Sequence, residues 1–477
     1  MRTGLSVTFS IIVTFLLASS LTITSTSALA VHECGAQHKG KEHKNDHHKH
    51  KSDKPGKGCK KLKATDFFNG DPRADAPALA YRGDYAVGVR TVEVVNRDEI
   101  DILNWSDENP NPLYDRELTL EVWYPARLEK RDKEITTYRD VLGSGAGNPD
   151  RPLRPFEFAG RAARGAMPNL DGGPYPLVIV SHGYPGSRLL MTYLTESLAS
   201  RGYIVAAVDH LDSTHADATA FYSTLLNRTL DINFVLEELG QMGASGHGFL
   251  SGMVDADNTA IIGYSMGGYG ALNAAGAGYT EASVNFFWGV PGGHLARLQH
   301  GTDAYAAELD PRIRAMVAFA PWGGCCGFWD TNSLAGIEIP SLFIVGKQDQ
   351  TSGYANVKRL FEDAVNSDRY LLAYESAIHE IAVNPAPPLA EQHYREYVHY
   401  QEPGWDNRRL NNVNQHFITA FLGSKIKGDF IEYQPYLDLV EPISNDSPRT
   451  DESDPRYWKG FTNWSAIGME MRHLPAQ

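Results

Sequence analysis

The sequence predicts an α/β fold with a mostly parallel central sheet flanked by helices. Short apolar runs alternate with stretches of helical spacing over residues 177–422. Continuous apolar runs are typical of parallel strands buried on both faces, and their alternation with helices is typical of crossover connections. The chain has 477 residues, of which 42 % are hydrophobic, so it is long enough to build a large core.

The first 30 residues have the pattern of a secretory signal peptide. Arg2 precedes an apolar stretch at residues 5–21, and Ala28-Leu-Ala30 supplies the small residues of a cleavage site. We therefore expect cleavage near Ala30 and a secreted, extracellular or periplasmic protein. An uncleaved membrane anchor is the alternative.

Residues 31–63 are rich in lysine and histidine and contain almost no apolar residues, which predicts a disordered arm. This basic arm is expected to contact anionic surfaces, and binding of a transition metal by its histidines is the alternative. The chain as a whole carries a net charge of −14, which argues against nucleic acid as a partner.

Four cysteines suit an exported protein with few disulfides. Cys34 and Cys59 lie at the two ends of the arm, where they could pair. Cys325 and Cys326 are adjacent, and we expect buried thiols there, with a vicinal disulfide as the alternative.

The predicted main domain spans residues 64–424, and its elements follow in order. Residues 87–95 alternate like a strand, and residues 118–124 read as its partner. Residues 130–175 are rich in Gly, Pro and Arg and are predicted to form a long loop. Further strands are predicted at residues 177–181, 203–208, 260–263, 313–320, 340–345 and 370–374, the last strand of the chain. Helices are predicted at 189–200, 230–239, 354–366 and 414–422, the last of them a closing helix.

Two segments lie outside this alternation. Residues 281–310 are predicted to be an insertion, either a lid or a packed excursion, and residues 425–477 are predicted to be a C-terminal extension packed on the domain. We expect the protein to be a monomer.

One turn has the form of a nucleophile elbow. An apolar run at residues 258–262 is followed by Gly263-Tyr-Ser265-Met-Gly267 and then by small helix formers. Such a turn exposes the serine where a histidine can take its proton, and flanking glycines relieve the crowded backbone. With 44 glycines in the chain the bare pattern is weak, and an inert turn is the alternative, but the flanking strand and helix strengthen the prediction of Ser265 as nucleophile.

A serine nucleophile needs a base and an acid, expected here in the order Ser…Asp…His. Asp349 follows the strand at residues 340–345, where a carboxylate can orient an imidazole. His379 follows closely behind the last predicted strand, and we predict it to be the base. The rival acids are Asp330, Glu375 and Glu380.

An oxyanion hole requires two backbone N–H donors. Met266, the residue after the nucleophile, is predicted to supply one. Tyr184, in the turn Ser181-His-Gly-Tyr-Pro-Gly186, is predicted to supply the other and to wall the acyl pocket with its ring. His182 is expected to order this turn by hydrogen bonding and to lie at the substrate site.

Two histidines and three aspartates occur between Asp209 and Asp217. They follow a buried strand, where loops line the rim of the site in such folds, so we predict rim and structural roles. A metal site is the alternative. No catalytic metal and no cofactor are expected.

These residues together resemble the α/β-hydrolase superfamily, in its branch of dienelactone hydrolases, platelet-activating-factor acetylhydrolases and cutinases. The resemblance runs from about Tyr85 to Leu422. Its most specific segments are Val87-Gly-Val-Arg-Thr, Glu121-Val-Trp-Tyr-Pro, Ser181-His-Gly-Tyr-Pro-Gly, Gly202-Tyr-Ile-Val-Ala-Ala-Val-Asp-His-Leu-Asp-Ser and Gly263-Tyr-Ser-Met-Gly-Gly.

The resemblance implies an α/β-hydrolase fold and, as in cutinases and polyester hydrolases, an aromatic residue that flanks the substrate, here Trp322. The acetylhydrolases place their acid where this chain has Ala320-Pro-Trp322. The acid is therefore expected one strand later, at Asp349.

The sequence thus predicts a secreted serine carboxylic-ester hydrolase that acts through a Ser-His-Asp triad and an acyl-enzyme. The expected partner is a small-molecule, lipid or polymer ester. A cutinase or polyester hydrolase and an acetylhydrolase-like phospholipase are the alternatives within this class, and a binding protein on a hydrolase fold is the alternative outside it.

Overall fold

The computed structural model describes residues 68–130, 132–285 and 289–477. The predicted signal peptide (1–30), the predicted arm (31–63) and the pairing of Cys34 with Cys59 lie outside the described residues, as do residues 286–288 of the predicted insertion. Among the helices of the described part, none combines the length and the apolar character that a membrane crossing needs.

The secondary structure alternates between strands and helices over most of the described chain. The strands are β1 (Ala86–Ile100), β2 (Leu113–Arg127), β3 (Thr136–Leu142), β4 (Arg154–Gly160), β5 (Ala163–Arg164), β6 (Met167–Pro168), β7 (Tyr175–Ser181), β8 (Ile204–Asp209), β9 (Val254–Tyr264), β10 (Ile313–Phe319), β11 (Ser341–Gly346), β12 (Arg369–Tyr374) and β13 (Met469–Leu474). The α-helices are α1 (Thr192–Ser200), α2 (Phe221–Ala244), α3 (Met266–Ala274), α4 (Glu281–Val284), α5 (Asp303–Glu308), α6 (Thr331–Leu334), α7 (Tyr354–Asp363), α8 (Tyr394–Tyr397), α9 (Asn407–Lys425) and α10 (Phe430–Tyr433).

One large mixed sheet organises the described residues, with the strand order β13-β12-β11-β10-β9-β7-β8-β2-β1-β5 and β6 beside β2. The central strands β8, β7, β9, β10, β11 and β12 run parallel. At one side β2 is antiparallel to β8 and to β1, and at the other β13 is antiparallel to β12. The predicted α/β fold with a mostly parallel sheet flanked by helices is therefore confirmed.

The core lies in two layers, one on each face of this sheet. Successive side chains of a strand point to opposite faces, and β9 shows the alternation. Ile261 packs in the layer that contains residues of α2 and α3, whereas Ala260 and Ile262 pack with residues of α1 and α9. Because both faces are covered, the carboxyl ends of the parallel strands are left as the place where loops can gather side chains for a site.

The prediction of a long loop at residues 130–175 is wrong. β3 and β4 form an antiparallel hairpin, and the short strands β5 and β6 join the main sheet. The inner face of β3 is carried by Tyr138 and Leu142, and Tyr138 Oη accepts a hydrogen bond from Trp123 Nε1 at 2.7 Å. Thr137 and Arg139 stand at intervening positions, and Asp140 interrupts the apolar residues of the inner face, so the alternation is masked in the sequence.

The prediction that residues 370–374 form the last strand of the chain is also wrong. β13 pairs antiparallel with β12 along its whole length, from Arg369 opposite Leu474 to Tyr374 opposite Met469. The side chains of Met469 and Met471 are buried. The sheet therefore ends on a strand from the C-terminal extension, which covers what would otherwise be an open edge.

The two segments outside the alternation both contribute to the core. In the described part of residues 281–310, Leu295, Leu298 and Tyr305 are buried, and Tyr305 Oη donates to Asn273 O at 2.6 Å. In residues 425–477, Trp458 and Phe461 pack against α9. Both segments are packed against the sheet and its helices.

Candidate active site

Ser265 lies at the sharp turn between β9 and α3. Its backbone has φ 53° and ψ −111°, a conformation that costs a non-glycine residue about 1–3 kcal/mol and clusters at functional sites. A Cβ added to Gly263 would lie 2.1 Å from Gly267 O, and one added to Gly267 would lie 1.9 Å from Ser181 O. The turn therefore requires glycine at both positions, as the pattern around Ser265 predicts.

Ser265, His379 and Asp349 form a hydrogen-bonded row at the carboxyl ends of β9, β12 and β11. His379 Nε2 lies 3.0 Å from Ser265 Oγ, and His379 Nδ1 lies 2.8 Å from Asp349 Oδ2. Their exposed fractions are 8 %, 7 % and 5 %, so the row is largely shielded from water. In this arrangement the imidazole can take the serine proton while the carboxylate fixes its tautomer and stabilises the cation.

Asp349 is held by the turn that follows β11. Its Oδ1 accepts hydrogen bonds from the N–H groups of Thr351 at 2.8 Å and Ser352 at 2.9 Å, which leaves Oδ2 facing His379. Burial alone would raise the pKa of Asp349, but the hydrogen bonds from His379, Ser352 and Thr351 outweigh it and lower the pKa below its usual value. The carboxylate is therefore ionised beside the imidazole at neutral pH.

The rival acids have other partners. Asp330 is exposed and caps α6, because its Oδ1 accepts from Ser333 N at 2.8 Å. Glu375 forms an ion pair with Lys347. Glu380 borders the same cavity as Ser265, and burial raises its pKa to about 7.

Glu402, which the sequence does not single out, supports the loop that carries His379. Its Oε2 accepts from Ile378 N at 2.8 Å, and the side chain is buried. Burial raises the pKa of Glu402 to about 7. A glutamate beyond the last parallel strand carries no local signal of this contact, so only the tertiary structure identifies it.

The two predicted oxyanion donors lie on turns beside Ser265. Met266 is the first residue of α3, so its N–H has no partner within the helix. Gly183 O, in the same peptide unit as the Tyr184 N–H, accepts from His182 Nδ1 at 2.6 Å. The C=O and N–H of a trans peptide point in opposite directions. Because Gly183 O points toward His182, the Tyr184 N–H points away from it.

His182 is buried in its turn and is not among the residues that line the cavity around Ser265, so a contact with substrate stays a prediction. Its Nδ1 donates to Gly183 O, and its Nε2 accepts from His210 N at 3.2 Å, which leaves neither nitrogen free. Burial, aided by the charge of Arg228, lowers the pKa of His182 well below its usual value. The neutral ring orders the turn.

A buried network continues from this turn into α2. His210 Nδ1 donates to Asp231 at 2.9 Å, and Asp231 also accepts two hydrogen bonds from Arg116 at 2.7 and 2.9 Å. His210 Nε2 lies 2.9 Å from Ser181 Oγ. Arg228 donates to His182 O at 2.7 Å.

The polar residues after β8 form hydrogen bonds and an ion pair with other residues of the protein. Asp209 pairs with Arg188, Asp217 accepts from Thr214 N at 2.9 Å, and His215 Nδ1 donates to Gly143 O at 3.1 Å. Within the described residues no cluster of three or more His, Cys, Asp or Glu has the geometry of a metal site.

Aromatic side chains form a wall beside the elbow. The Trp322 ring packs edge-on against Phe221 at 5.2 Å, and Phe221 packs edge-on against Tyr184 at 5.2 Å. The Tyr184 hydroxyl donates to Thr219 O at 2.7 Å. Trp322 N donates to Ser265 O at 3.1 Å, so the residue also fixes the elbow backbone. Phe221 was not predicted to be part of this wall.

A cavity of about 150 Å³ opens in front of Ser265. Leu190 and Val383 are among its apolar lining residues, and His215, Glu380 and His399 are among its polar ones. Tyr184 and His379 also border it. The cavity is therefore large enough for a small group of a substrate and has both apolar and polar surfaces.

Cys325 and Cys326 are not joined to each other, and both carry free thiols. Cys325 is exposed and Cys326 is half-buried, so the expectation of buried thiols is wrong. They lie in a short turn after β10, between glycines with positive φ.

Comparisons with known proteins match the central part of the chain. The family model of platelet-activating factor acetylhydrolase, isoform II, matches residues 163–234. Cutinase est1 of Thermobifida alba is 30 % identical over 105 residues, which are 22 % of this chain and 32 % of that protein. The cutinase of Thermobifida fusca (strain YX) is 29 % identical over 105 residues, 22 % of this chain and 30 % of that protein.

The matched region thus spans about a third of the length of these curated relatives. Among solved structures, a ferulic acid esterase from Streptomyces cinnamoneus superimposes with a TM-score of 0.49 at 20 % identity, covering 84 % of this chain and 100 % of that one. The sheet topology and the elbow are those of an α/β-hydrolase fold, and the matched segments are similar to cutinases and to the platelet-activating-factor acetylhydrolase family.

Proposed function

We propose that this chain is a secreted serine carboxylic-ester hydrolase that works through an acyl-enzyme. The observation that carries the proposal is the row Asp349–His379–Ser265, with hydrogen bonds of 2.8 and 3.0 Å, at an elbow that borders a cavity. The cutinases and the acetylhydrolase family that match the chain support ester hydrolysis. The signal-peptide pattern of residues 1–30 supports export.

In the first half-reaction Ser265 Oγ attacks the ester carbonyl carbon while His379 Nε2 takes its proton. Asp349 stabilises the imidazolium that forms. The carbonyl oxygen becomes an oxyanion and is held by the N–H groups of Tyr184 and Met266. Each such donor is worth about 10²–10³-fold in kcat. The C–O bond to the alcohol then breaks, and His379 gives the alcohol its proton.

In the second half-reaction water attacks the acyl-Ser265 ester. His379 Nε2 takes a proton from the water, and the same two amides hold the second oxyanion. Collapse of this intermediate releases the carboxylic acid, and the proton on His379 returns to Ser265 Oγ. The net reaction consumes one ester and one water and needs no cofactor.

The substrate class within the esters has two alternatives. The relatives named cutinases favour a polyester, whereas the acetylhydrolase family model favours a phospholipid with a short acyl chain. The wall of Tyr184, Phe221 and Trp322 suits an apolar or aromatic segment next to the scissile bond in either case.

The proposal is tested with purified Ser265→Ala, a short-chain p-nitrophenyl ester and a fluorophosphonate probe. We expect the wild-type protein to be labelled and Ser265→Ala to lose at least about 10³-fold in kcat. Ser197→Ala is the matched control, since Ser197 is a buried serine of α1 whose Oγ has no hydrogen-bond partner among the described residues. Unchanged turnover in Ser265→Ala would overturn the proposal, and a wild-type protein that neither labels nor turns over would favour a binding protein.

A further inference from the structure

His215 borders the cavity that contains Ser265 and carries a buried hydrogen-bond acceptor without a partner among the described residues. The residue lies on the loop after β8, is 3 % exposed and borders this cavity together with His379. Its Nδ1 donates to Gly143 O at 3.1 Å. Its Nε2 is buried and has no hydrogen-bond partner in the part of the chain that the structure describes. A buried polar atom without a partner is rare in native proteins and calls for an explanation.

The His215 ring is held in place from several sides. Its backbone N–H donates to Gly186 O at 2.8 Å, and its carbonyl accepts from Gly145 N at 2.9 Å. Gly143, which receives the ring proton, is itself fixed because its N–H donates to Glu396 Oε2 at 3.1 Å. Rotation of the ring would break the bond to Gly143 without offering another partner, so the orientation is set before any ligand arrives.

The chemistry of the ring follows from this orientation. Since Nδ1 faces a carbonyl, it carries the proton, and Nε2 is left with its lone pair. Burial lowers the pKa of His215 to about 4, so the ring is neutral at neutral pH. Nε2 therefore accepts a hydrogen bond and does not donate one.

The surroundings select the kind of donor. His399 also borders the cavity, and burial lowers its pKa to about 3, so this ring is also neutral. Glu380 borders the cavity as well, and the burial that raises its pKa to about 7 makes any further anionic group unfavourable there. A neutral O–H group matches this environment.

We propose that His215 is a specificity-determining residue whose Nε2 accepts a hydrogen bond from a hydroxyl group of the substrate, so that the enzyme prefers hydroxylated esters. This inference rests on the proposed ester hydrolysis and names its substrate class. An ester without the hydroxyl displaces water from the cavity and leaves Nε2 unpaired, whereas a hydroxylated ester satisfies it. The expected preference is on the order of tenfold in kcat/KM.

The test compares three esters on the purified full-length protein. Ethyl butyrate has no hydroxyl, ethyl 3-hydroxybutyrate has one on the acyl side, and 2-hydroxyethyl butyrate has one on the alcohol side. We expect one of the two hydroxylated esters to exceed ethyl butyrate about tenfold in kcat/KM, and its identity shows which side of the ester faces His215.

The same ratios are measured in His215→Phe and His215→Leu. These variants place apolar side chains of two different sizes at this position and remove the acceptor. We expect the ratio to fall to about one in both. Each ratio compares two substrates on one preparation, so a smaller folded fraction cancels. His247→Phe is the control, because His247 is exposed and lies far along the chain on the loop after α2; its ratio should equal that of the wild type.

The outcomes separate the two proposals. No turnover of any ester would overturn the proposed function and this inference with it. Turnover of all three esters with wild-type ratios near one would overturn this inference alone. A high wild-type ratio that persists in either His215 variant would also overturn it, because the hydroxyl would then be recognised elsewhere.

Discussion

Arg228 is a buried cation that hydrogen-bonds to the turn of residues 181–186, which carries the proposed oxyanion donor Tyr184. It donates to His182 O and to Ser213 Oγ, both at 2.7 Å, and its side chain is almost fully buried. Burial lowers the pKa of Arg228 to about 9, which still leaves it charged at neutral pH. These bonds fix the turn that carries the Tyr184 N–H, so Arg228 is a positioning residue for the proposed reaction.

Replacement of Arg228 by Met should therefore reduce kcat more than it raises KM. We expect a loss of about 10–100-fold in kcat, because the Tyr184 N–H is no longer held in position. The measurement is a kcat and KM pair with a short-chain ester, with the unfolding midpoint recorded in parallel. Arg97→Met, at an exposed ion pair with Asp115, should behave like wild type. A folded Arg228→Met protein with unchanged kcat would contradict the assignment.

Asp349 and Asp330 can be separated by one matched pair of substitutions. Asp349→Asn keeps Oδ1 for the N–H groups of Thr351 and Ser352 but presents an amide to His379, which favours the wrong tautomer. We expect a loss of about 10³–10⁴-fold in kcat. Asp330→Asn, at the cap of α6, should retain nearly full activity. Inactivation by Asp330→Asn alone would reverse the assignment.

The sequence identifies those residues whose role is indicated by their neighbours along the chain. Ser265, Asp349 and His379 each follow an apolar strand closely, and parallel strands bring their carboxyl ends to one edge. Glu402 and Arg228 act through contacts with residues 24 and 46 positions away. Arg228 and Asp231, two charged residues three positions apart in α2, are the signal of the buried network in the sequence.

At the level of elements, β13 has the largest consequence for stability because it closes one side of the sheet. Its buried face is carried by Met469 and Met471, while Leu474 is partly exposed. We expect Met471→Ala to lower the free energy of unfolding by about 2–4 kcal/mol, since it leaves a cavity against the sheet. The measurement is urea unfolding, with the midpoint and slope compared.

Leu474→Ala is the control for this prediction, because it removes an apolar side chain from the same strand at an exposed position. We expect a change within about 0.5 kcal/mol. Equal effects of the two substitutions would mean that β13 is not packed on the core in solution.

The predictability of the elements follows from their composition. The parallel strands were predicted because both faces are buried, so the apolar run is continuous, as in Leu177–Ser181. β3, β4 and β13 have one buried face and few apolar residues, and charged side chains occupy the other positions. α2 begins at Phe221 and not at residue 230, because its first turns bury polar side chains of the network.

For the molecule as a whole, buried histidines and buried glutamates have opposite effects on how the free energy of unfolding changes with pH. Burial lowers the pKa of His210 and His416 to about 3 and of His215 to about 4. Unfolded histidines have a pKa of about 6.5, so the unfolded state binds more protons below that pH. The stability that depends on these neutral rings is complete above about pH 6.5 and is lost as the pH falls toward 4.

Buried glutamates act in the other direction. Burial raises the pKa of Glu196, Glu380 and Glu402 to about 7, against about 4.5 when unfolded. The folded state then binds more protons between these values, so this stability is complete below about pH 4.5 and is lost as the pH rises through 7. The two trends offset each other between about pH 4.5 and 6.5. We expect the free energy of unfolding to reach a plateau there, with losses on both sides of up to about 1.4 kcal/mol per group and pH unit.

Glu196→Gln tests the alkaline side of this profile at a position outside the cavity. Glu196 accepts hydrogen bonds from Tyr138 Oη at 2.6 Å and from Arg161 N at 2.9 Å, and glutamine resembles its protonated form. We expect the free energy of unfolding at pH 7.5, relative to that at pH 5, to be higher in the variant by on the order of 2 kcal/mol. The reason is that the side chain at position 196 no longer releases a proton between these pH values. The measurement is urea unfolding at both pH values, with Glu157→Gln, exposed on β4, as the control. An unchanged difference between the two pH values in Glu196→Gln would show that Glu196 is ionised in the folded protein at pH 5.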